Sequence, residues 1–124
     1  MSYSQSTGIR TELDIPPQIE GGYLGEAIET QLQRIIQEAL TNVRKHSRAR
    51  SARLAFGLND GQVQVTIEDD GHGFDPAALG DNRSFGLRAM AGRANAVGAR
   101  FEVKSTPGNG TQLIVQVPRK KGES

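Results

Sequence analysis

Cysteine is absent from all 124 residues. Disulfide scaffolds, thiolate metal sites and cysteine nucleophiles are excluded together, and the redox compartment is left open with a lean toward the cytosol. An excess of one charge is also lacking: 15 Lys and Arg stand against 14 Asp and Glu, for a formal net charge of +1. No overall field therefore favours a nucleic acid or a membrane surface as partner. Apolar runs reach only strand length, too short for a membrane-spanning helix, and the opening "MSYSQSTG" has neither the basic nor the apolar region of a signal peptide. Two phosphate-binding signatures are missing as well, the P-loop with its lysine after the last glycine and the spaced dinucleotide fingerprint. His72 has no second histidine or cysteine at ligand spacing, which favours an exposed turn residue over a metal ligand.

What is present suits one ordinary domain, long enough to bury a core without crosslinks. "GIRTELDIPPQIEGG" alternates Ile9, Leu13 and Ile15 with polar residues before Pro16-Pro17 and Gly21-Gly22, an edge strand followed by a loop. Over residues 26–46, Ile28, Leu32, Ile35, Ile36, Ala39, Leu40 and Val43 recur at helical spacing, and Arg44, Lys45 and His46 are cations suited to the last turn. "SARLAFGL" and "QVQVTIEDD" alternate around "NDG", a hairpin signal. "FGLRAMAGRANAVGA" predicts a helix with Leu87, Met90, Ala94 and Val97 on one side and Gly98 as its stop. "RFEVKS" and "GTQLIVQVP", joined by "TPGN", predict a last hairpin. The order implies an α+β fold, a two-layer sandwich with helices on one face of a mixed, mostly antiparallel sheet. The domain is expected over residues 9–118, between a disordered tail at 1–8 and a charged tail at 119–124.

Chemistry enters at Glu38, Asn42 and Lys45, which lie at i, i+4 and i+7 and share a stripe beside the apolar face. A carboxylate and an amide oxygen are hard ligands for Mg²⁺, and a lysine one turn on would meet phosphates. From spacing alone, a solvated helix face explains the stripe more economically. In "DDGHGFD", a strand ending at Asp70 runs into Gly71 and Gly73, whose backbone freedom permits a sharp turn and close approach to a flat ligand. Asp70 at the strand end would accept from an exocyclic amine such as that of adenine, while Asp69 and Asp75 read as acids of an ordinary turn. "SFGLRAM" opens a helix whose amides would meet a phosphate, and "STPGNGT" is a tight turn before Thr111. Residues 76–83 have few apolar anchors, the composition of a mobile lid.

Taken in order, "QEALTNVRKHS", "DDGHGFD", "FGLRAMAGR" and "STPGNGT" resemble the ATP-binding domain of two-component sensor histidine kinases, in the ATPase superfamily shared with gyrase, the heat-shock chaperone and MutL, whose fold is the Bergerat type. "EALTNVRKHS" and the short segment between Phe74 and Phe85 look most like nitrate-sensor kinases. The resemblance implies that Asn42 holds Mg²⁺ with Glu38 near the ion or the reacting phosphate, and that Lys45 and His46 lie near the phosphate chain. It further implies that Asp70 reads adenine, Gly71, Gly73 and Phe74 shape the pocket, Gly86 and Leu87 open the second glycine box, and Thr111 supports Asp70. ATP and Mg²⁺ are the implied cofactors. The implied partners are a phosphoacceptor and dimerisation hairpin and a response regulator, with no nucleic acid and no membrane contact by this domain, in the cytoplasm. Neither His46 nor His72 stands in a phosphoacceptor context, so the chain looks like the catalytic portion of a larger kinase. A freestanding anti-sigma-factor-type serine kinase and a non-catalytic nucleotide-binding module are the alternatives.

Overall fold

The computed structural model describes residues 10–14, 24–59, 62–78 and 81–117. Both expected tails, Ile9, Ile15, the loop glycines Gly21 and Gly22 and the hairpin turn at 60–61 lie outside these residues. Along the described chain run β1 (Arg10–Asp14), α1 (Glu26–Asn42), β2 (Ser51–Asn59), β3 (Gln62–Asp69), α2 (Asp81–Ala96), β4 (Arg100–Ser105) and β5 (Thr111–Val117). The strands form one sheet in the order β1-β2-β3-β5-β4. β1 pairs parallel with β2, as a crossover through α1 allows, and the remaining pairs are antiparallel.

Period-2 alternation decides which sheet face is covered. Val63, Val65 and Ile67 of β3 and Leu113, Val115 and Val117 of β5 point to one side, where they join Leu32, Ile35 and Ala39 of α1 and Met90 and Ala94 of α2 in a single core. Each valine, leucine, isoleucine or methionine side chain buried this fully contributes on the order of 1.5–3 kcal/mol, and each alanine less, before entropy is set against it. The opposite side of β3 carries Gln62, Gln64, Thr66 and Glu68. Leu13 on edge strand β1 is 64% exposed, although it is aligned with the buried Leu54. Among the described residues, no helix is long and apolar enough to cross a membrane.

Two boundaries differ from expectation. The α-helical part of α1 stops at Asn42, and Val43–Ser47 continue as a π-helical turn that ends at Arg48 in a left-handed conformation (φ 54°). The second helix starts at Asp81 rather than Phe85, so part of the expected lid is its first turn. Residues 81–84 carry no apolar periodicity to announce a helix, yet an acid is an ordinary residue type at a helix start. Pro76–Ala78, also within the expected lid, form a short 3-10 turn. At the other end Gly98 closes α2: its N–H donates to the Asn95 carbonyl at 3.0 Å, and that of Ala99 to the Ala94 carbonyl at 2.9 Å.

Candidate nucleotide site

A cleft opens between the last turn of α1 and the ends of β3 and β5. Ala39, Asn42 and Val43 from the helix, Ile67 and Asp69 from β3, Phe74 from the following loop, Leu87 from α2, and Thr111 and Leu113 from β5 line it. Its empty space, mouth and adjoining solvent included, is about 390 Å³, of which about 20 Å³ is enclosed room for a water-sized group. Most of the lining is apolar, with three polar side chains converging on it, Asn42, Asp69 and Thr111. Asp69 and Thr111 are cross-strand partners at the end of the β3–β5 ladder, so one row of the sheet presents both.

Glycines let the surrounding segments close in. Gly86 is buried where α2 meets α1: a Cβ there would lie 3.1 Å from Glu38 Oε2 and 3.7 Å from Asn42 Nδ2. Glu38 and Asn42 therefore flank the same point on the seam between the helices. Gly73 (φ 64°) packs so tightly on the β4–β5 loop that a Cβ would overlap the Thr106 carbonyl oxygen and sit 2.8 Å from that of Gly110. A second tie joins the same segments, from the Gly108 N–H to the His72 carbonyl at 2.6 Å. Gly71 is buried, and its N–H donates to Asp69 Oδ1 at 2.8 Å, an Asx turn that fixes the carboxylate as the chain leaves β3.

Of the residues singled out from sequence, Asn42, Phe74, Leu87 and Thr111 share the cleft; Gly86 lies against Asn42, Gly71 is tied to Asp69, Gly73 packs on the β4–β5 loop, and Glu38 lines the neighbouring groove between the helices with Thr41 and Arg93. Lys45 is exposed on the π-helical turn and is absent from the lining; the side chain of His46 lies outside the described residues. His72 is exposed. Asp75 is a turn acid, accepting from the Ala77 N–H at 3.0 Å.

The expected placement of Asp70 needs correction. Its carboxylate points away from the cleft and accepts from the N–H groups of Arg50 at 2.8 Å and Ser51 at 2.9 Å and from the Ser51 hydroxyl at 3.0 Å. Led by the Ser51 N–H, these donors together hold the Asp70 carboxyl below its ordinary value, against the opposing effect of desolvation. The physical reason is strand periodicity: counting by twos from Val63 and Val65 through Ile67 reaches Asp69, so Asp69 inherits the covered face and Asp70 the other side. That count was the available signal for Asp69. Ser105, which binds Phe74, Gly110 and Thr111 from the end of β4, had no signal of its own.

Known proteins resemble this chain over most of its length. Residues 27–121 match the family described as histidine kinase-, DNA gyrase B- and HSP90-like ATPases. An uncharacterized sensor-like histidine kinase of Chloroflexus aurantiacus is 44% identical over 100 residues, covering 77% of this chain and 17% of its own. Sensor histidine kinase LiaS of Bacillus subtilis is 36% identical, covering 90% of this chain and 32% of its own, and sensor protein VraS of Staphylococcus aureus is 30% identical, covering 93% and 33%. The chain thus spans at most about a third of these relatives. Among solved structures, the histidine kinase domain of the Erythrobacter litoralis EL346 blue-light activated histidine kinase has the same fold, with a TM-score of 0.71 at 20% identity over 94% of this chain and 56% of that one. This chain belongs to the family of histidine kinase-, DNA gyrase B- and HSP90-like ATPases.

Proposed function

We propose that the chain is the catalytic ATP-binding domain of a sensor histidine kinase, which binds Mg·ATP and passes the γ-phosphoryl group to a histidine on a separate dimerisation hairpin in two-component signalling. The observation that carries this reading is the convergence of Asn42, Asp69 and Thr111 on one apolar cleft, in a chain whose relatives include named sensor histidine kinases. The base binds between Ile67, Phe74 and Leu113, and Asp69, rather than Asp70, accepts from the exocyclic amine. Asp69 is favoured because it lines the cleft, whereas the Asp70 carboxylate is taken up by β2.

The helix seam fits a magnesium ion. Mg²⁺ prefers oxygen ligands and commonly takes only one or two from the protein, the rest coming from phosphates and water. Glu38 and Asn42, one turn apart and both beside Gly86, supply a carboxylate and an amide oxygen on the helix that borders the cleft. When bound, the ion would neutralise charge on the phosphates. The protein's own share is positioning: phosphoryl transfer asks for alignment and charge compensation more than covalent chemistry. The implied partners are the histidine-bearing hairpin and a response regulator, and the implied location is the cytoplasm.

The test is incubation with γ-labelled ATP and Mg²⁺, alone and with a phosphoacceptor hairpin from a kinase of this type. The expected result is acid-labile label on the hairpin and none on the chain by itself. Transfer to a serine protein and never to a hairpin histidine would replace this reading with an anti-sigma-factor-type kinase. Binding without any transfer would leave a nucleotide-binding module.

A further inference from the structure

Ser105 ends β4 directly opposite Thr111 of β5 and lies behind the cleft wall. Its hydroxyl oxygen takes part in three contacts: it accepts from the Phe74 N–H at 2.9 Å, donates to the Gly110 carbonyl at 2.9 Å and lies 3.0 Å from Thr111 Oγ1. We propose that Ser105 is a positioning residue that fixes the direction in which the Thr111 hydroxyl donates, and thereby makes the cleft select a purine that brings a donor. The inference rests on the adenine reading above and deepens it.

Donor counting carries the argument. A serine hydroxyl has one proton and two lone pairs. The Gly110 carbonyl can only accept, so the Ser105 proton goes there, and the Phe74 N–H occupies one lone pair. The remaining lone pair faces Thr111, so the proton shared between the two hydroxyls comes from threonine. Thr111 is then left with lone pairs alone for the cleft that it lines. The Asp69 carboxylate, its partner in the same row of the sheet, is likewise an acceptor when ionised. Two acceptors side by side suit the exocyclic amine of adenine and disfavour the carbonyl that guanine offers at the same ring position, because a buried acceptor facing another goes unsatisfied. The bond to the Phe74 N–H adds a second effect, holding the aromatic wall at its distance from the same hydroxyl.

The experiment compares ADP and GDP affinities by calorimetry for the 124-residue chain and its Ser105→Ala, Ser105→Thr and Thr111→Val variants, and for the Ser105→Ala/Thr111→Val double variant. Removing the Ser105 hydroxyl frees Thr111 to donate into the cleft, so the ADP-over-GDP ratio should fall about tenfold. Ser105→Thr keeps a hydroxyl and should keep most of the preference. In the Thr111→Val background, Ser105→Ala should leave the ratio where it is. Thr111→Val by itself preserves the Ser105 bonds to Phe74 and Gly110 and should lower the ratio even if Ser105→Ala does not fold. Equal weakening of both nucleotides by Ser105→Ala, or an unchanged ratio in Thr111→Val, overturns the proposal while the adenine reading stands. Absence of any purine preference in the unmodified chain overturns both.

Discussion

Asp69 and Asp70 are neighbours with the same carboxylate at the same strand end, yet they belong to different parts of the molecule. Asp69 faces the cleft in a row with Thr111 and is held by the Gly71 N–H behind it. Asp70 faces β2 and caps the N–H groups of Arg50 and Ser51, tying the end of β3 to the chain that emerges from α1. One acid is placed to meet a ligand, and the other completes the backbone of the fold. A cluster of acids is therefore not a unit of function: the pleat of the strand allots each carboxylate to one face, and the face sets the work.

The strongest way to break the comparison is to disturb the loop that supports the cleft side. Gly73→Ala would bring a methyl group into the Thr106 carbonyl while keeping a left-handed φ of 64°. Backbone strain and overlap together should cost about 3 kcal/mol or more, a fall in Tm of roughly 10 °C or more for a domain of this size. Gly108→Ala is the control, because it has a similar φ of 86° with no atom within 4 Å of its Cβ. Strain alone should cost about 1 kcal/mol there. Equal losses in the two variants, measured by thermal unfolding, would show that packing against the β4–β5 loop carries no weight.

The next test exchanges the two acids by the same substitution. On the proposed adenine reading, Asp69→Asn puts an amide where an acceptor would meet the base and should weaken ADP binding by about 1–3 kcal/mol, roughly five- to a hundredfold. Asp70→Asn should leave ADP affinity unchanged and lower stability by about 0.5–1 kcal/mol, toward the lower figure because the carboxylate is exposed. The pH dependence separates them further. A carboxyl held below its ordinary value in the folded state stabilises the fold above that ordinary value, and the contribution is lost as pH falls through the folded one. The stability gap between the unmodified chain and Asp70→Asn should thus be constant near neutrality and close in acid. An Asp70→Asn variant that loses ADP binding would return the adenine role to Asp70.

Sequence made much of this fold legible where polarity contrasts with periodicity. Leu32, Ile35 and Ala39 mark the buried face of α1, Val63, Val65 and Ile67 that of β3, and "NDG" the hairpin between β2 and β3. The choice between Asp69 and Asp70 was obscured because Glu68, Asp69 and Asp70 are all acids, so alternation loses its contrast just where β3 reaches the site. Lys45 shares a stripe with Glu38 and Asn42 only while the helix keeps 3.6 residues per turn; the π-helical turn after Asn42 is wider and carries Lys45 off it. Ser105 lies 31 residues from Phe74, and only the sheet order brings them together. Likewise, nothing in residues 81–84 distinguishes a helical first turn from a polar loop.

The smallest effect sharpens what makes Asp70 count. Asp14 on β1 and Arg53 on β2 form an ion pair at 3.2 Å with both side chains largely exposed, and Glu68 stands 3.9 Å from the other side of the guanidinium. Like Asp70, this pair joins neighbouring strands through an exposed carboxylate. Its donor, however, is a flexible side chain that must be ordered to make the contact, whereas the amides of Arg50 and Ser51 are already fixed by the backbone. A double-mutant cycle on Asp14→Ala and Arg53→Ala should therefore give a coupling of only about 0–0.5 kcal/mol, falling further in high salt. A cycle on Asp70→Ala and Ser51→Ala removes only the hydroxyl contact, so most of the loss from Asp70→Ala should survive in the Ser51→Ala background, carried by the two amides. If the ion pair proves as strong as the Asp70 cap, the rigidity of backbone donors is not what distinguishes the two carboxylates, and the stabilising share assigned to Asp70 would have to come from its charge alone.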